Sequence, residues 1–327
     1  MILFALETYR CMAAALEKSG DLRCTTFRAL RFENGELHAE IPTSVENEHC
    51  LILGSIAPPD EQLLSVLLLA HTLKKERALR VTAILPYLAY ARDDKDKPGA
   101  SMATGWVARL SCASGIDEVI TVDIHSERAR ALYSIPVVSL SPATIFAQAI
   151  GLYDLRGATI VAPDNGAIGR CRDVRAAAGM RPSEIPYFEK QRTAAGVRHL
   201  GLIGTVGPQA LIVDDILDTG STLVSACEML NQGGVSDISI MVTHGLFTRD
   251  RWRRLPRLGV KRIFCTDSVP LPPGVDETKI VRLSVVPLLA EWIHNLRTAS
   301  STSRASSSYD LPPKAIGEPM LTSTAPR

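Results

Sequence analysis

This chain of 327 residues has no long hydrophobic run, no paired cysteines and no excess of either charge. No segment approaches the roughly 18 to 20 apolar residues that cross a bilayer, so a membrane partner is not expected. Lys plus Arg number 36 against 35 Asp plus Glu, a formal charge of +1, and without a basic excess nucleic acid is not an expected partner. The seven cysteines (Cys11, Cys24, Cys50, Cys112, Cys171, Cys227, Cys265) are scattered, odd in number and free of any C-x-x-C pair. That pattern argues against a disulfide framework and a zinc site, and for a reducing, cytoplasmic setting. "MILFALETYRCMAAALEKSG" at the start is interrupted by Glu7, Arg10 and Glu17 and has no basic segment before it, so it reads as a strand and an amphipathic helix rather than a signal peptide. Two nucleotide signatures are also missing. No G-x-x-x-x-G-K-[ST] is present to cradle a triphosphate in a P-loop, and no G-x-G-x-x-G follows a strand.

What is present is a 46% apolar composition, enough for a sizeable core, and a repeated order of short apolar run then helical pattern. "HCLILGSI" precedes "DEQLLSVLLLAHTLKKE", "LRVTAILPY" precedes "SMATGWVARLSCASG", "ATIVAPD" precedes "AIGRCRDVRAAAG", and "ALIVDDILD" precedes "TLVSACEMLNQGG". Such alternation predicts an α/β protein with mainly parallel sheets flanked by helices, whose ligands lie beyond the carboxyl ends of the strands. The expected division is two similar domains at 1–140 and 141–283, a closing helix at 284–297 and a disordered tail at 298–327. The tail, "TASSTSRASSSYDLPPKAIGEPMLTSTAPR", has too few apolar anchors to offset its ordering entropy.

"LIVDDILDTGSTL", residues 211–223, carries the strongest chemical signal. An inner strand delivers Asp214 and Asp215 to a loop in which Gly220 permits a tight turn and Asp218, Thr219, Ser221 and Thr222 are polar. The N–H groups opening the next helix would bind an anion such as a phosphate monoester. Two carboxylates beside a phosphate make sense only if they address something neutral or cationic on the same ligand, and vicinal sugar hydroxyls fit, with or without a metal ion. The loop resembles that of proteins binding ribose 5-phosphate or its 1-pyrophosphate, and alone it leaves a phosphoribosyltransferase and a phosphoribosyl pyrophosphate synthetase open.

Five further segments select between these: "RFENGELHAEIPTSV" (31–45), "ILPYLAYARDDK" (84–95), "VDIHSERARALYSIPVVSLSP" (122–142), "VAPDNGAIGR" (161–170) and "EKQR" (189–192). Their order and spacing resemble the ribose-phosphate pyrophosphokinase family over roughly residues 1–297, including a final "SVVPLLAEWIHNL". The resemblance implies two phosphoribosyltransferase-like domains, with the last helix packing back on the first. It also implies transfer of the β,γ-pyrophosphoryl group of Mg·ATP to the 1-hydroxyl of ribose 5-phosphate. Residues 214–222 would then hold the sugar phosphate, and His125 and Asp164, each just after a strand, would hold Mg²⁺. Lys190 and Arg192, at alternate positions of an extended chain, would cover the polyphosphate. Phe32, Asn34, Glu36 and Arg92, with Asp93 beside them, would hold the adenosine, partly from a neighbouring subunit of a homo-dimer or hexamer. One departure is visible: the family commonly has Arg-Gln and a longer arginine-rich arm where this chain reads Arg92-Asp93-Asp94-Lys95-Asp96-Lys97. A non-catalytic homologue that regulates an active partner is the alternative this departure raises.

Overall fold

The computed structural model describes residues 1–19, 22–193, 196–275 and 277–305, leaving aside the side chains of 190–200, 277 and 299–305. The first half contains β1 (Ile2–Ala5), α1 (Arg10–Lys18), β2 (Arg23–Thr25), β3 (Arg28–Arg31), β4 (Leu37–Glu40), β5 (His49–Leu53) and α2 (Glu61–Lys75). It continues through β6 (Arg80–Ile84), α3 (Ala103–Ala113), β7 (Glu118–Val122), α4 (Glu127–Ala131) and β8 (Val137–Leu140). The second half holds α5 (Ala143–Leu152), β9 (Thr159–Val161), α6 (Ile168–Ala177), β10 (Tyr187–Thr193), β11 (Gly196–Ile203) and β12 (Gln209–Leu217). After these come α7 (Ser221–Gln232), β13 (Asp237–Gly245), β14 (Val260–Thr266), β15 (Ile280–Leu283) and α8 (Val286–Ala305).

Runs such as Cys50-Leu51-Ile52-Leu53 and Leu211-Ile212-Val213 have no polar alternation because their strands are buried on both faces of parallel sheets. The first sheet has the order β2-β1-β5-β6-β7-β8 and the second β15-β14-β13-β12-β9. Every pairing within these two sheets is parallel. Two antiparallel ribbons, β3-β4 and β10-β11, stand apart from them. Val66, Leu69 and Leu73 of α2 with Val107 of α3 pack on one face of the first sheet. In the second sheet β12 serves two cores, Ile212 facing Leu223 and Cys227 of α7, and Leu211 and Val213 facing Phe146 of α5 and Val174 of α6.

The chain passes from one sheet to the other at residues 141–142, between β8 and α5. Both sheets nonetheless fall in one compact unit, Met1–Leu288, with Leu289–Arg327 forming a second. Contacts such as Tyr9 Oη donating to the Ser268 carbonyl at 2.8 Å and the Tyr87 and His244 rings 4.7 Å apart join the two halves. Helix α8 continues beyond Thr298, where the composition changes, to Ala305. Extending an existing helix costs little, since each added residue gains a hydrogen bond without a new nucleus. Residues 306–327 lie outside the described residues.

On β5, His49 Nε2 lies 2.9 Å from Thr82 Oγ1. Burial, aided by the positive charges of Arg80 and the N-terminus, pushes its pKa down from 6.5 to about 4. The unfolded chain therefore takes up this proton first as pH falls, so the stabilisation present above pH 6.5 is lost on descending towards pH 4. With partial exposure screening the effect, His49→Gln is expected to remove about 1 kcal/mol of the stability difference between neutral and mildly acid pH. Urea melts at the two pH values check this, and an unchanged difference would place the acid sensitivity elsewhere.

Candidate active site

Strand β12 outruns its neighbour. It pairs with β9 only as far as Ile212 opposite Val161, whereas on the other side pairing with β13 continues to Leu217. The overhang carries Asp214 and Asp215 past the end of β9, into the crevice where Asp164 also emerges. Burial and the neighbouring Asp215 charge push the Asp214 carboxyl well above the usual carboxylate range. Burial alone would raise Asp215 too, but the hydrogen bond from His125 and the charge of Arg170 outweigh it and hold that carboxyl well below the range. Adjacent acids split in this way can offer both a donor and an acceptor to a diol, with less repulsion of a nearby phosphate.

His125 Nδ1 lies 2.6 Å from Asp215 Oδ2, bridging from the end of β7 to the end of β12. The next residue, Ser126, caps α4 through its Oγ and also donates to the buried Asp94 at 2.6 Å. Arg128 Nε donates to the Asp94 carbonyl at 2.8 Å, so the His125 turn is fastened to the loop that follows β6. Asp164 accepts from the Ala167 N–H at 3.2 Å, which caps the short 3-10 turn leading into α6.

Beyond the carboxylates the chain turns through Gly220, whose φ of +80° is in the left-handed region, and α7 begins at Ser221. Thr219 Oγ1 and Ser221 Oγ are 3.0 Å apart at the helix mouth. The segment after β13 walls this turn. Thr248 Oγ1 donates to Asp218, Arg251 Nη1 reaches Ser221 Oγ at 3.3 Å, and Trp252 lies against Gly220. Arg92 Nη1 donates to Asp218 Oδ2 at 2.7 Å, which ties the loop after β6 to the loop after β12.

A cleft of about 530 Å³ joins these elements, and Arg92, Asp93, His125, Asp164, Asp214 and Asp215 all line it. The two halves thus bring six of the expected residues together. Asp218–Thr222 continue from the cleft along α7 without lining it. Asp93 also supports the local fold, because its carboxylate accepts from the Ala103 N–H at 2.9 Å and Ser101 Oγ at 3.2 Å, capping the start of α3. Its charge is directed to exposed helix donors. Phe32, Asn34 and Glu36 are at the turn of the β3-β4 ribbon and do not line the cleft of their own chain. Phe32 is 56% exposed, and Asn34 Oδ1 accepts from the Glu36 N–H at 3.1 Å. Lys190 and Arg192 occupy alternate positions of β10, following Tyr187, Phe188 and Glu189, which line the cleft. The Lys190 and Arg192 side chains lie outside the described residues.

Sequence reasoning assigns no role to Asp94, Asp123, Arg170, His244, Thr248 or Arg251, all of which bear on this crevice. Asp123 and His244 have a usable signal, a polar residue at the carboxyl end of an apolar strand.

A ribose-phosphate pyrophosphokinase of Maricaulis maris is 34% identical to the chain over 290 residues, covering 87% of this chain and 93% of that protein. The chain belongs to the ribose-phosphate pyrophosphokinase family. The same name is carried by a Campylobacter jejuni protein that is 32% identical, over 81% of this chain and 86% of its own length. Residues 1–115 match the N-terminal domain of ribose phosphate pyrophosphokinase, and residues 176–305 match the phosphoribosyl synthetase-associated domain. The crystal structure of phosphoribosylpyrophosphate synthetase from Mycobacterium smegmatis superposes with a TM-score of 0.79 at 26% identity, covering 91% of this chain and 99% of that one. Family membership accounts for the paired parallel sheets and for a crevice lined from strand ends in both halves.

Proposed function

We propose that this pyrophosphokinase-family chain transfers the β,γ-pyrophosphoryl group of ATP to the 1-hydroxyl of ribose 5-phosphate, giving 5-phosphoribosyl 1-pyrophosphate and AMP. The observation that carries the reading is the meeting of His125 and Asp164 with Asp214 and Asp215 in one cleft. A sugar anchored by the pair and a nucleotide held beside it have their reacting atoms brought within reach, which replaces much of the entropy cost of a bimolecular step.

Asp214 and Asp215 take the vicinal hydroxyls, while Thr219, Ser221, Thr222 and the first N–H groups of α7 take the 5-phosphate. Arg251, beside Ser221, adds a cation to that mouth. Arg92 and Asp93 lie on the nucleotide side, and Lys190 and Arg192 neutralise charge that spreads over the transferring group. Phe32, Asn34 and Glu36 serve the adenine of a second copy in a homodimer or hexamer, for which their exposed turn is suited.

Mg²⁺ is the metal the reading requires. Among the described residues no three or more His, Cys, Asp or Glu side chains are grouped to hold an ion. A nucleotide-bound Mg²⁺ does not need such a cage, because one or two side chains add to phosphate oxygens and retained waters. His125 and Asp164 fit this demand: both face the cleft, and Asp215 holds His125 Nδ1 as carboxylates commonly hold a metal-binding imidazole. Bound there, the ion would offset phosphate charge. Seven scattered cysteines without a C-x-x-C pair, and a balanced charge, support a cytoplasmic setting.

The test is AMP formation by the purified chain from ATP. It is expected to require both ribose 5-phosphate and Mg²⁺. Pyrophosphate release dependent on a nucleobase would instead support a phosphoribosyltransferase, and AMP formed only with a co-purified partner would support a regulatory homologue.

A further inference from the structure

Arg170 lines the crevice and has no part in the proposed function. It projects from α6 in the second half, is only 15% exposed, and borders the cleft. Its Nε donates to both carboxylate oxygens of Asp123, at 3.0 and 2.8 Å, and its Nη2 to Asp123 Oδ1 at 3.0 Å. Asp123 belongs to the other half, directly after β7. The same guanidinium has Nη1 at 3.9 Å from Asp214 Oδ1 and Nη2 at 3.9 Å from Asp215 Oδ2. One planar cation thus meets three carboxylates from two strand ends.

Asp123 is an unusually firm anchor for it. Its backbone has φ +48°, in the left-handed region that non-glycine residues adopt only when their surroundings hold them there. Thr243 Oγ1 donates to its carboxylate, and its N–H donates to the Leu140 carbonyl at 2.9 Å. Arg170 forks onto this fixed group, so its free edge is aimed at the Asp214–Asp215 pair with little torsional freedom. A lysine could supply the charge but not the fork.

We propose that Arg170 is a positioning residue for sugar recognition: clamped to Asp123, it holds Asp214 and Asp215 in place across the junction of the two halves. This deepens the proposed function and rests on it for the identity of the ligand. Without the guanidinium, the three acids would lose the cation that lies between them, although Thr243 and His125 would still hold Asp123 and Asp215 individually. A diol hydrogen-bonded to Asp214 and Asp215 would lose its preorganised partners. A nucleotide held on the Arg92 side would lose much less.

Calorimetry on Arg170→Ala in the full-length chain is expected to show ribose 5-phosphate binding weakened at least tenfold, with Mg·ATP binding changed less than threefold. Arg170→Lys should recover part of the loss, and millimolar guanidinium chloride should partly restore Arg170→Ala. Hydrogen exchange without any ligand supplies a separate readout. Exchange in segments 123–126 and 213–217 should rise at least tenfold in Arg170→Ala, with α2 unchanged. Unaltered exchange there, or equal loss of both ligands in folded protein, would overturn the proposal. If the wild-type chain fails to bind ribose 5-phosphate while the exchange change is still seen, the positioning role stands and the sugar assignment falls. Should Arg170→Ala not fold, Arg170→Lys decides: wild-type exchange and wild-type sugar affinity in it would refute the need for the fork.

Discussion

Lys190→Ala is expected to lower kcat by about two to three orders of magnitude while changing the KM for ATP or ribose 5-phosphate by less than about threefold. Pyrophosphoryl transfer develops and spreads negative charge on phosphate oxygens as the bond to AMP breaks. A cation that meets that charge chiefly at the transition state affects turnover, whereas one that binds ground state and transition state equally changes KM. The backbone of Lys190 follows directly on residues of the cleft wall. Tyr187, Phe188 and Glu189 line the cleft, and the register of β10 against β11 shifts between Glu189 and Lys190. A register shift of this kind is a bulge, a feature over-represented next to active sites. Steady-state kinetics at saturating Mg·ATP and ribose 5-phosphate provide the check. Near-wild-type kcat would remove Lys190 from the chemistry. A raised KM with unchanged kcat would make it a ground-state binding residue.

Much of this site can be read in the sequence because its signals are local. In "LIVDDILDTGSTL" the apolar run, the acids, the glycine and the hydroxyls are consecutive, so strand, turn and helix start appear in order within 13 residues. His125 and Asp164 are recognisable because each follows an apolar strand closely. Arg170 carries no such mark. Its partner Asp123 is 47 residues away in sequence, and its neighbours in α6 are Gly169 and Cys171, so periodicity says nothing of its bond.

Other differences arise where one residue type serves two physical ends. Asp93 reads as an acid beside a polyphosphate, yet helix α3 needs an acceptor for the N–H of Ala103 and Asp93 supplies it. Helix α8 passes into a Ser/Thr-rich stretch, whose composition predicts disorder, because propagation from an established helix is favoured over stopping at once. "DRWRRLPRLG" has a helical pattern, but the structure makes it a 3-10 segment, Arg251–Leu258, containing Pro256. Pro256 has no N–H to donate and its ring crowds the preceding turn, which disfavours a regular α-helix through this segment. That segment places Trp252 against Gly220 and Arg251 beside Ser221, a contact between elements that no single stretch of sequence reveals.

The Trp252 contact makes Gly220→Ala the other substitution with a large expected effect. At φ +80° an alanine pays about 1 to 2 kcal/mol for the left-handed conformation. Its Cβ would also come within 2.7 Å of Trp252 Cβ, 2.8 Å of Cα and 3.0 Å of the backbone nitrogen. Backbone cannot swing aside as a flexible side-chain end can, and overpacking of this kind adds about 1 to 3 kcal/mol. Trp252 is itself pinned: its Nε1 donates to the Arg249 carbonyl at 2.9 Å, its ring meets Phe247 edge-on with centroids 5.0 Å apart, and Arg253 lies 4.8 Å above the ring. The turn must therefore move, and with it the first N–H groups of α7. Gly220→Ala is expected to lose about 2 to 4 kcal/mol of stability and more than tenfold in ribose 5-phosphate affinity. Gly169→Ala is the internal control. Gly169 lies within α6, has no positive φ and has open space around its would-be Cβ, so alanine there should stabilise by about 0.5 to 1 kcal/mol. Denaturant melts paired with calorimetry separate the two glycines. A Gly220→Ala chain that melts with the wild type and binds sugar phosphate normally would show that the turn does not depend on this close approach.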